Sequence, residues 1–147
     1  PLLGGALGNW ISGLWVDRLY SRHHVKLSRR LPAITGFLLA AIGMLAMSRI
    51  ETPQVAIVFL TLAIFGADMT LSPSWAFCID IGKEHAGAVS GTMNMAGNLG
   101  AFVTIIAFPY LYEWSGSFQP FFYVCMALSA IAVILWLSMD PRKTLVN

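Results

Sequence analysis

Charged side chains are scarce in this sequence. Of its 147 residues, only 11% are Asp, Glu, Lys or Arg, whereas 57% are hydrophobic. A water-soluble domain carries about a quarter charged residues, so these few charges could not cover a surface that faces water. The composition therefore excludes a soluble domain and predicts an all-α fold, that of a polytopic helical membrane protein.

Residues that build chemical sites are scarce as well. The only two cysteines, Cys78 and Cys125, each lie within an apolar run, and we expect them near opposite membrane faces, where no disulfide forms. The three histidines lie in polar connectors without the spacing of metal ligands. The sequence also lacks a nucleophile motif, a phosphate-binding glycine loop and a nucleic-acid footprint. We therefore expect no enzyme activity, no metal, no cofactor and no nucleic-acid partner.

Long apolar runs separated by short polar connectors are what the sequence has instead. Residues 31–48 carry no charge, and at 1.5 Å per residue a helix of this length spans about 27 Å, enough to cross a bilayer core. The same reasoning predicts one partial span, four complete spans and a polar tail: 1–16, 31–48, 54–79, 86–112, 118–139 and 140–147. Because the chain starts without Met, in glycine-rich apolar sequence typical of a helix interior, we expect a fragment of a longer protein.

The basic residues indicate an orientation. The segments 17–30, 80–85 and 140–147 should share one membrane face, and they hold eight of the nine Lys and Arg residues. The opposite face holds Arg49, beside Glu51 and Glu113. Positive charge favours the cytoplasmic side. The sequence therefore predicts a multi-pass protein whose basic face and C-terminus are cytoplasmic.

The basic segment also contains a glycine and an aspartate that orientation alone does not explain. Gly13 and Asp17 are four residues apart, so they share a helix face. We expect Gly13 to let a neighbouring helix approach, and Asp17 to accept hydrogen bonds from the amides at that neighbour's N-terminus. Arg18 and Arg22 would then pair with acidic groups or lipid phosphates. The segment is a candidate gating loop between two conformations.

The second complete span contains polar residues that are costly within a membrane. Asp68, Ser72 and Trp75 follow a spacing of four and then three residues, which places them on one helix face. Pro73 has no amide hydrogen and frees the carbonyl of Met69. This surface would suit the wall of a cavity, with Asp68 as a candidate proton-coupling group. The alternative is structural: Asp68 contacts a neighbouring helix, and the serines bond to their own backbone.

The third complete span is rich in glycine and asparagine. Its small residues predict close helix contact: Gly87, Gly91, Gly97 and Gly100. Asn94 and Asn98 are four residues apart, so both amides can point the same way and bind a hydroxylated or carboxylated ligand. The alternative is that both amides form hydrogen bonds between helices.

The segment around Gly13 and Asp17 resembles a loop of the major facilitator superfamily, G-x-x-x-D-[RK]-x-G-x-[RK]-[RK]. In that family the loop joins helices 2 and 3, and it recurs between helices 8 and 9. Here Tyr20 replaces the second glycine, and Ser21-Arg22-His23 replaces the compact basic end. Such a degenerate copy is typical of the second half of the family's internal repeat. The resemblance implies a partial C-terminal six-helix bundle, helices 8 to 12 of a twelve-helix carrier.

A second resemblance is carried by "SPSWAFCIDIGKEHAGAVSGTMNMAGNLG" and the later "DPRK". Both are similar to the anion:cation symporter group of the superfamily, which includes bacterial hexuronate and galactonate transporters. The resemblance implies proton-coupled symport of an organic anion, such as a hexuronate or another sugar acid, by alternating access. Ser72, Trp75 and Asn94 match the family's substrate site, with Ser74 as a neighbour. Asn98 is a substrate candidate from its spacing to Asn94 alone.

The same resemblance implies partners and a location. The partners would be the organic anion, protons, the lipid bilayer and the N-terminal half of the same protein, and the location would be a bacterial inner membrane. Two transport alternatives stay open, namely a drug exporter or a neutral sugar carrier of another branch. A non-transporting membrane scaffold or sensor with this fold also stays open, whereas a membrane enzyme would require converging catalytic groups that the sequence does not display.

Overall fold

The computed structural model of the protein describes residues 1–50 and 52–144, so Glu51 and the end of the predicted tail, 145–147, lie outside the described residues. The described residues form helices and no strand, in agreement with the predicted all-α class. Six α-helices follow one another along the chain: α1 (Leu2–Ser21), α2 (Val25–Met47), α3 (Pro53–Met69), α4 (Leu71–Gly82), α5 (Ala86–Ser115) and α6 (Gln119–Ser138).

The basic segment between α1 and α2 is more helical than the sequence predicts. Only residues 22–24 lie outside the two helices, and His23 there adopts a left-handed conformation, with φ of 61°. The segment 17–30, predicted to lie between two membrane spans, is therefore mostly helical. Polar residues do not by themselves end a helix, since Lys and Arg have good helix propensity. Asp17 and Arg18 consequently belong to the last turns of α1.

The second predicted span consists of two helices, with a break at Thr70. Pro73 cannot donate to the carbonyl of Met69, which lies four residues earlier. The hydroxyl of Ser12, a fully buried residue of α1, donates to that carbonyl at 2.5 Å. The prediction that Pro73 frees the Met69 carbonyl is confirmed, and the freed acceptor ties α1 to the α3–α4 junction.

Three helical stretches of the described chain are long and apolar enough to cross a membrane: Val25–Met47, Pro53–Ser115 and Gln119–Ser138. The middle one has 63 residues, far more than one crossing needs. It reverses direction at a short 3-10 turn, Lys83–His85, where Lys83 has φ of 45°. The sulfur atoms of Cys78 and Met93 then approach to 3.3 Å across the turn, so α4 and α5 pack side by side.

Small residues form the closest packing in the bundle, between α2 and α3. A Cβ atom added to Gly36 would lie 2.5 Å from the carbonyl oxygen of Gly66, and one added to Gly43 would lie 2.8 Å from the backbone nitrogen of Ala63. A similar contact joins α1 to α3, because a Cβ atom on Gly8 would overlap the backbone of Phe65. Backbone contacts at glycines therefore join α1, α2 and α3, and α6 also packs against α2.

The glycines of α5 do not make the close contact that the sequence predicts. None of the other described residues lies within 4 Å of a Cβ atom placed on any of the four: Gly87, Gly91, Gly97 and Gly100. Small residues permit a close approach but do not supply the partner surface. The prediction of close helix contact was therefore wrong for the part of the chain that the structure describes.

Ion pairs gather the chain's basic segments at one end of the bundle, here named the basic end. Arg29 of α2, only 6% exposed, binds Asp80 of α4 through Nε at 2.7 Å and through Nη2 at 3.3 Å. Lys26 binds Asp140 at 3.2 Å. Hydrogen bonds from the Arg142 guanidinium and backbone N–H, with Lys26 nearby, hold the pKa of Asp140 well below its ordinary value. The tail beyond α6 is thereby attached to the start of α2.

Candidate functional site

A groove between α1 and α4 contains several polar side chains in an otherwise apolar bundle. Its volume is about 530 Å³. Asn9, Gly13 and Asp17 line it from successive turns of α1, and Ser72 lines it from α4. The spacing of four residues places the three α1 residues in one stripe. The structure thus brings two residues of the predicted gating loop, Gly13 and Asp17, into the same groove as a predicted substrate residue, Ser72.

A side-chain hydrogen bond crosses this groove. The hydroxyl of Ser72 donates to the side-chain oxygen Oδ1 of Asn9 at 2.7 Å, and it lies 3.3 Å from the Asn9 carbonyl oxygen. Asn9 was missed at the level of the sequence. A signal was present: an asparagine within an apolar helix, four residues before Gly13 and eight before Asp17, continues the stripe that those two residues begin.

The gating-loop residues occupy different surroundings. A Cβ atom added to Gly13 would lie 3.5 Å from Ser72 Oγ, an ordinary van der Waals distance, so the close helix approach expected at Gly13 occurs at Gly8 instead. Asp17 is exposed at the basic end of the groove. Arg18 lines a separate surface cavity, and Arg22 lies in the exposed turn before α2, so neither arginine joins the groove.

Asp68 lies in the interface between α1 and α3 rather than in the groove. A Cβ atom added to Gly5 of α1 would overlap the Asp68 carboxylate, which therefore rests against the α1 backbone. The three ion pairs among the described residues involve Asp80 and Asp140, not Asp68. The break at Thr70 separates Asp68 in α3 from Ser72 in α4, although both still face α1.

The remaining predicted substrate residues lie on α4 and α5. Ser74 donates its hydroxyl hydrogen to the Thr70 carbonyl at 2.6 Å, whereas Trp75 is 43% exposed. Asn94 and Asn98 are both exposed on α5, and Nδ2 of Asn98 donates to the Asn94 carbonyl at 2.8 Å. The bond of Ser74 to its own backbone is that of the structural alternative. Asn98 also bonds within its own helix, and not to another helix as its structural alternative had it.

The contact between Cys78 and Met93 fixes the level of these residues along the two helices. Asn94 adjoins Met93, and Trp75 lies about one turn from Cys78. Trp75 and Asn94 are therefore separated by little along the bundle axis, and both are exposed. Neither residue lines the groove with Ser72.

The described residues contain no group of three or more His, Cys, Asp or Glu side chains able to hold a metal ion. The polar groups that the groove offers are an amide, a hydroxyl and one carboxylate, from Asn9, Ser72 and Asp17. An amide and a hydroxyl recognise ligands through hydrogen bonds. The arrangement therefore suits reversible binding of a polar small molecule.

Comparison with known proteins assigns a family. The sequence model of the Major Facilitator Superfamily matches residues 1–147, the whole chain. The "Probable sulfoacetate transporter SauU" of Cupriavidus necator is 27% identical over 98% of this chain and 34% of its own length. The "Probable galactarate/D-glucarate transporter GudP" of Escherichia coli K12 is 32% identical over 92% of this chain and 29% of its own length.

A plant relative, "Probable anion transporter 3, chloroplastic" of Arabidopsis thaliana, is 29% identical over 90% of this chain and 26% of its own length. The chain thus spans about a third or less of the curated relatives it matches. The printed names of all three relatives describe transport of anions.

Proposed function

Because the chain belongs to the major facilitator superfamily, we propose that the protein is a secondary transporter of a small organic anion, such as a hexuronate or another sugar acid. The names of its relatives support an anionic cargo, since they cover a sulfonate, two sugar diacids and anions in general. The chain spans only part of those relatives, so the proposal concerns the whole protein. It describes a transporter rather than an enzyme.

The observation that carries the proposal is the polar groove between α1 and α4. The groove, of about 530 Å³, presents an amide and a hydroxyl to which a ligand can form hydrogen bonds, and the exposed asparagines of α5 present further amides. The proposed substrate residues are Ser72, Ser74, Trp75, Asn94 and Asn98.

Transport would proceed by alternating access, in which two bundles rock about a central site near the membrane midplane. The helices described here would form one bundle, and the remainder of the whole protein would form the other. Asp17, at the basic end of the groove, would hold the inner gate by accepting hydrogen bonds from the first amides of a facing helix. Arg18 and Arg22 would pair with acidic groups or lipid phosphates at that end.

Coupling to protons is the second part of the proposal, and Asp68 is the candidate group. A carboxylate in a span costs about 2.5–3.5 kcal/mol on insertion scales, so its presence calls for a role. Its position against α1 at Gly5 supports this role, because protonation would change the charge at a contact between two helices of the bundle.

The proposed location is a bacterial inner membrane, with multiple crossings and a cytoplasmic C-terminus. Eight of the nine Lys and Arg residues lie in the segments that form the basic end. Positively charged loops favour the cytoplasmic side of a membrane. Of the three relatives named above, the two bacterial ones support this membrane, and the third is chloroplastic.

The test is uptake by the purified whole protein in liposomes with an imposed pH gradient. Galacturonate represents the hexuronates, and galactarate, sulfoacetate, galactose and a cationic drug serve as the other cargoes. We expect concentrative uptake of galacturonate when the outside is acidic, abolished by a protonophore. Uptake of galactose or the drug with no acid transported would overturn the anion proposal. Acid uptake that ignores the pH gradient would overturn proton coupling alone.

A further inference from the structure

The hydrogen bond between Ser72 and Asn9 determines what each side chain can offer to a ligand in the groove. A serine hydroxyl has one hydrogen, and here that hydrogen is directed to Oδ1 of Asn9 at 2.7 Å. The carbonyl oxygen of Asn9, 3.3 Å from the same hydroxyl, is also an acceptor, so the hydroxyl must be the donor in both contacts. Ser72 is left with lone pairs, whereas Asn9 keeps both hydrogens of its Nδ2 group.

Asn9 is held firmly in this position by the packing of α1. One residue before it, Gly8 lies against the backbone of Phe65, where even a methyl group would overlap. Three residues after it, buried Ser12 donates to the Met69 carbonyl. These two contacts fix the turn of α1 that carries Asn9, so its amide reaches the groove with little conformational freedom. Such preorganisation lowers the cost of binding.

Among the residues that line the groove, Asp17 carries the one carboxylate, and its position favours an anion at Asn9. Asp17 is eight residues further along α1, or about 12 Å at 1.5 Å per residue. An anion near Asp17 would be repelled, whereas at Asn9 it would meet an amide donor and lie about two turns from that carboxylate. Asp68, which rests against α1 at Gly5, does not line the groove.

We propose that Asn9 is a substrate-binding residue whose Nδ2 group donates a hydrogen bond to the carboxylate of the transported organic anion. In this contact Ser72 is a positioning residue, because its hydroxyl orients the Asn9 amide. The inference rests on the proposed function and adds to it a specific contact from α1.

The experiment measures the KM of galacturonate uptake by the whole protein and by three variants, Asn9→Asp, Asn9→Ala and Ser72→Ala. Asn9→Asp keeps the size of the side chain but replaces the donor with a carboxylate, so we expect KM to rise by about tenfold or more. Asn9→Ala should raise KM several-fold and Ser72→Ala by less. Because Ser72 acts through Asn9, the increases in KM caused by Asn9→Ala and Ser72→Ala should not multiply in the double variant that carries both substitutions.

The control is Thr104→Val on α5. The hydroxyl of Thr104 donates to the Gly100 carbonyl of its own helix, so the KM of this variant should not change. KM does not depend on the amount of protein inserted, and monodispersity on size exclusion checks folding. An unchanged KM in Asn9→Asp would overturn the inference while leaving the proposed function intact. Multiplying effects of the two alanine variants would overturn the positioning role of Ser72. If the unaltered protein takes up none of galacturonate, galactarate and sulfoacetate, both proposals are overturned.

Discussion

The glycines of α2 and α3 and those of α5 follow similar sequence patterns but have opposite surroundings. On α2 and α3, Gly36, Gly43 and Gly66 lie against backbone atoms at distances that no side chain would fit. On α5, the four glycines have none of the other described residues within contact distance. A small-residue face therefore indicates that a close approach is permitted, and only its surroundings tell whether the approach occurs.

The open face of α5 also carries the asparagines proposed to bind substrate. At 100° per residue, Gly87, Gly91, Asn94 and Asn98 fall within a narrow stripe along the helix. The tightly packed α2–α3 face has no such polar residues at its closest contacts. The comparison separates a scaffold, formed by α1, α2 and α3, from an open wall, formed by α4 and α5.

A large side chain at the close contact between α2 and α3 should have the largest effect on the stability of the protein. In Gly36→Leu the side chain would be forced against the backbone of α3, and we expect a loss of about 3 kcal/mol or more of stability. The measurement is the thermal unfolding of the detergent-solubilised whole protein, with Gly91→Leu as the matched variant on α5. Equal loss of folded protein in both variants would show that the α5 stripe is a packing face, and the comparison would fail.

Removing Arg29 should break the ion pair that joins scaffold to wall. Arg29→Ala leaves Asp80 without its partner, which costs about 3 kcal/mol for a buried pair. A lowered unfolding temperature is expected, and the double variant with Asp80→Ala should recover part of the loss. Arg142→Ala, at an exposed pair, is the control and should change stability little. A double variant no more stable than Arg29→Ala would contradict this explanation.

Truncating Asn94 should lower substrate affinity without lowering the stability of the scaffold. If the amide binds substrate, Asn94→Ala loses up to about 1.4 kcal/mol of binding, a tenfold reduction in affinity for the sugar acid. The unfolding temperature should stay unchanged because the side chain is exposed. Thr92→Val, on another face of α5 and bound to its own helix, is the control. Unaltered affinity in Asn94→Ala would remove this residue from the site.

Neutralising Asp17 should shift the balance between inward-open and outward-open states by about two- to fivefold, as expected for one charge at a helix N-terminus. Cysteine crosslinking across the basic end of the Asp17→Asn protein measures that balance, and substrate affinity should change less. Lys143→Gln, in the tail at the same end, is the control. Crosslinking yields equal to those of the unaltered protein would argue against Asp17 as a gate residue.

The smallest effect should be that of pH on the tail. The pKa of Asp140 lies below its ordinary value of 3.8. Its contribution to stability is therefore present above that ordinary value and is lost only as pH falls through the lowered one. Hydrogen exchange at residues 139–144, corrected for the intrinsic rate, should not change between pH 5 and 8, whereas Asp140→Asn should speed it. A marked change across that pH range would contradict the attachment through Asp140.

Local chemistry allowed much of the fold to be predicted. Charge-free runs of sufficient length predicted where helices form, and the missing amide of Pro73 predicted a free carbonyl at Met69. The extent of the connector between α1 and α2 was not predictable in this way. The helices continue through residues 17–21 and 25–30, since their Arg and Lys side chains support helix as well as loop.

The candidate site was predictable only in part. Ser72 and Asp17 were identified from their own residue types, but their meeting in one groove was not, because it depends on how α1 packs against α4. Asn9 bonds to a residue 63 positions away, and Arg29 pairs with one 51 positions away. No pattern within a single helix specifies such pairs.

The sequence by itself determined the class of the molecule, the positions of its helices and the concentration of positive charge at one end, because these follow from side-chain transfer energies and hydrogen bonding within each segment. Only the tertiary structure decided which small-residue face is packed, which carboxylate pairs with Arg29 and which amide faces the groove. Those outcomes depend on distances between helices, and the backbone contacts at Gly8, Gly36 and Gly66 set those distances.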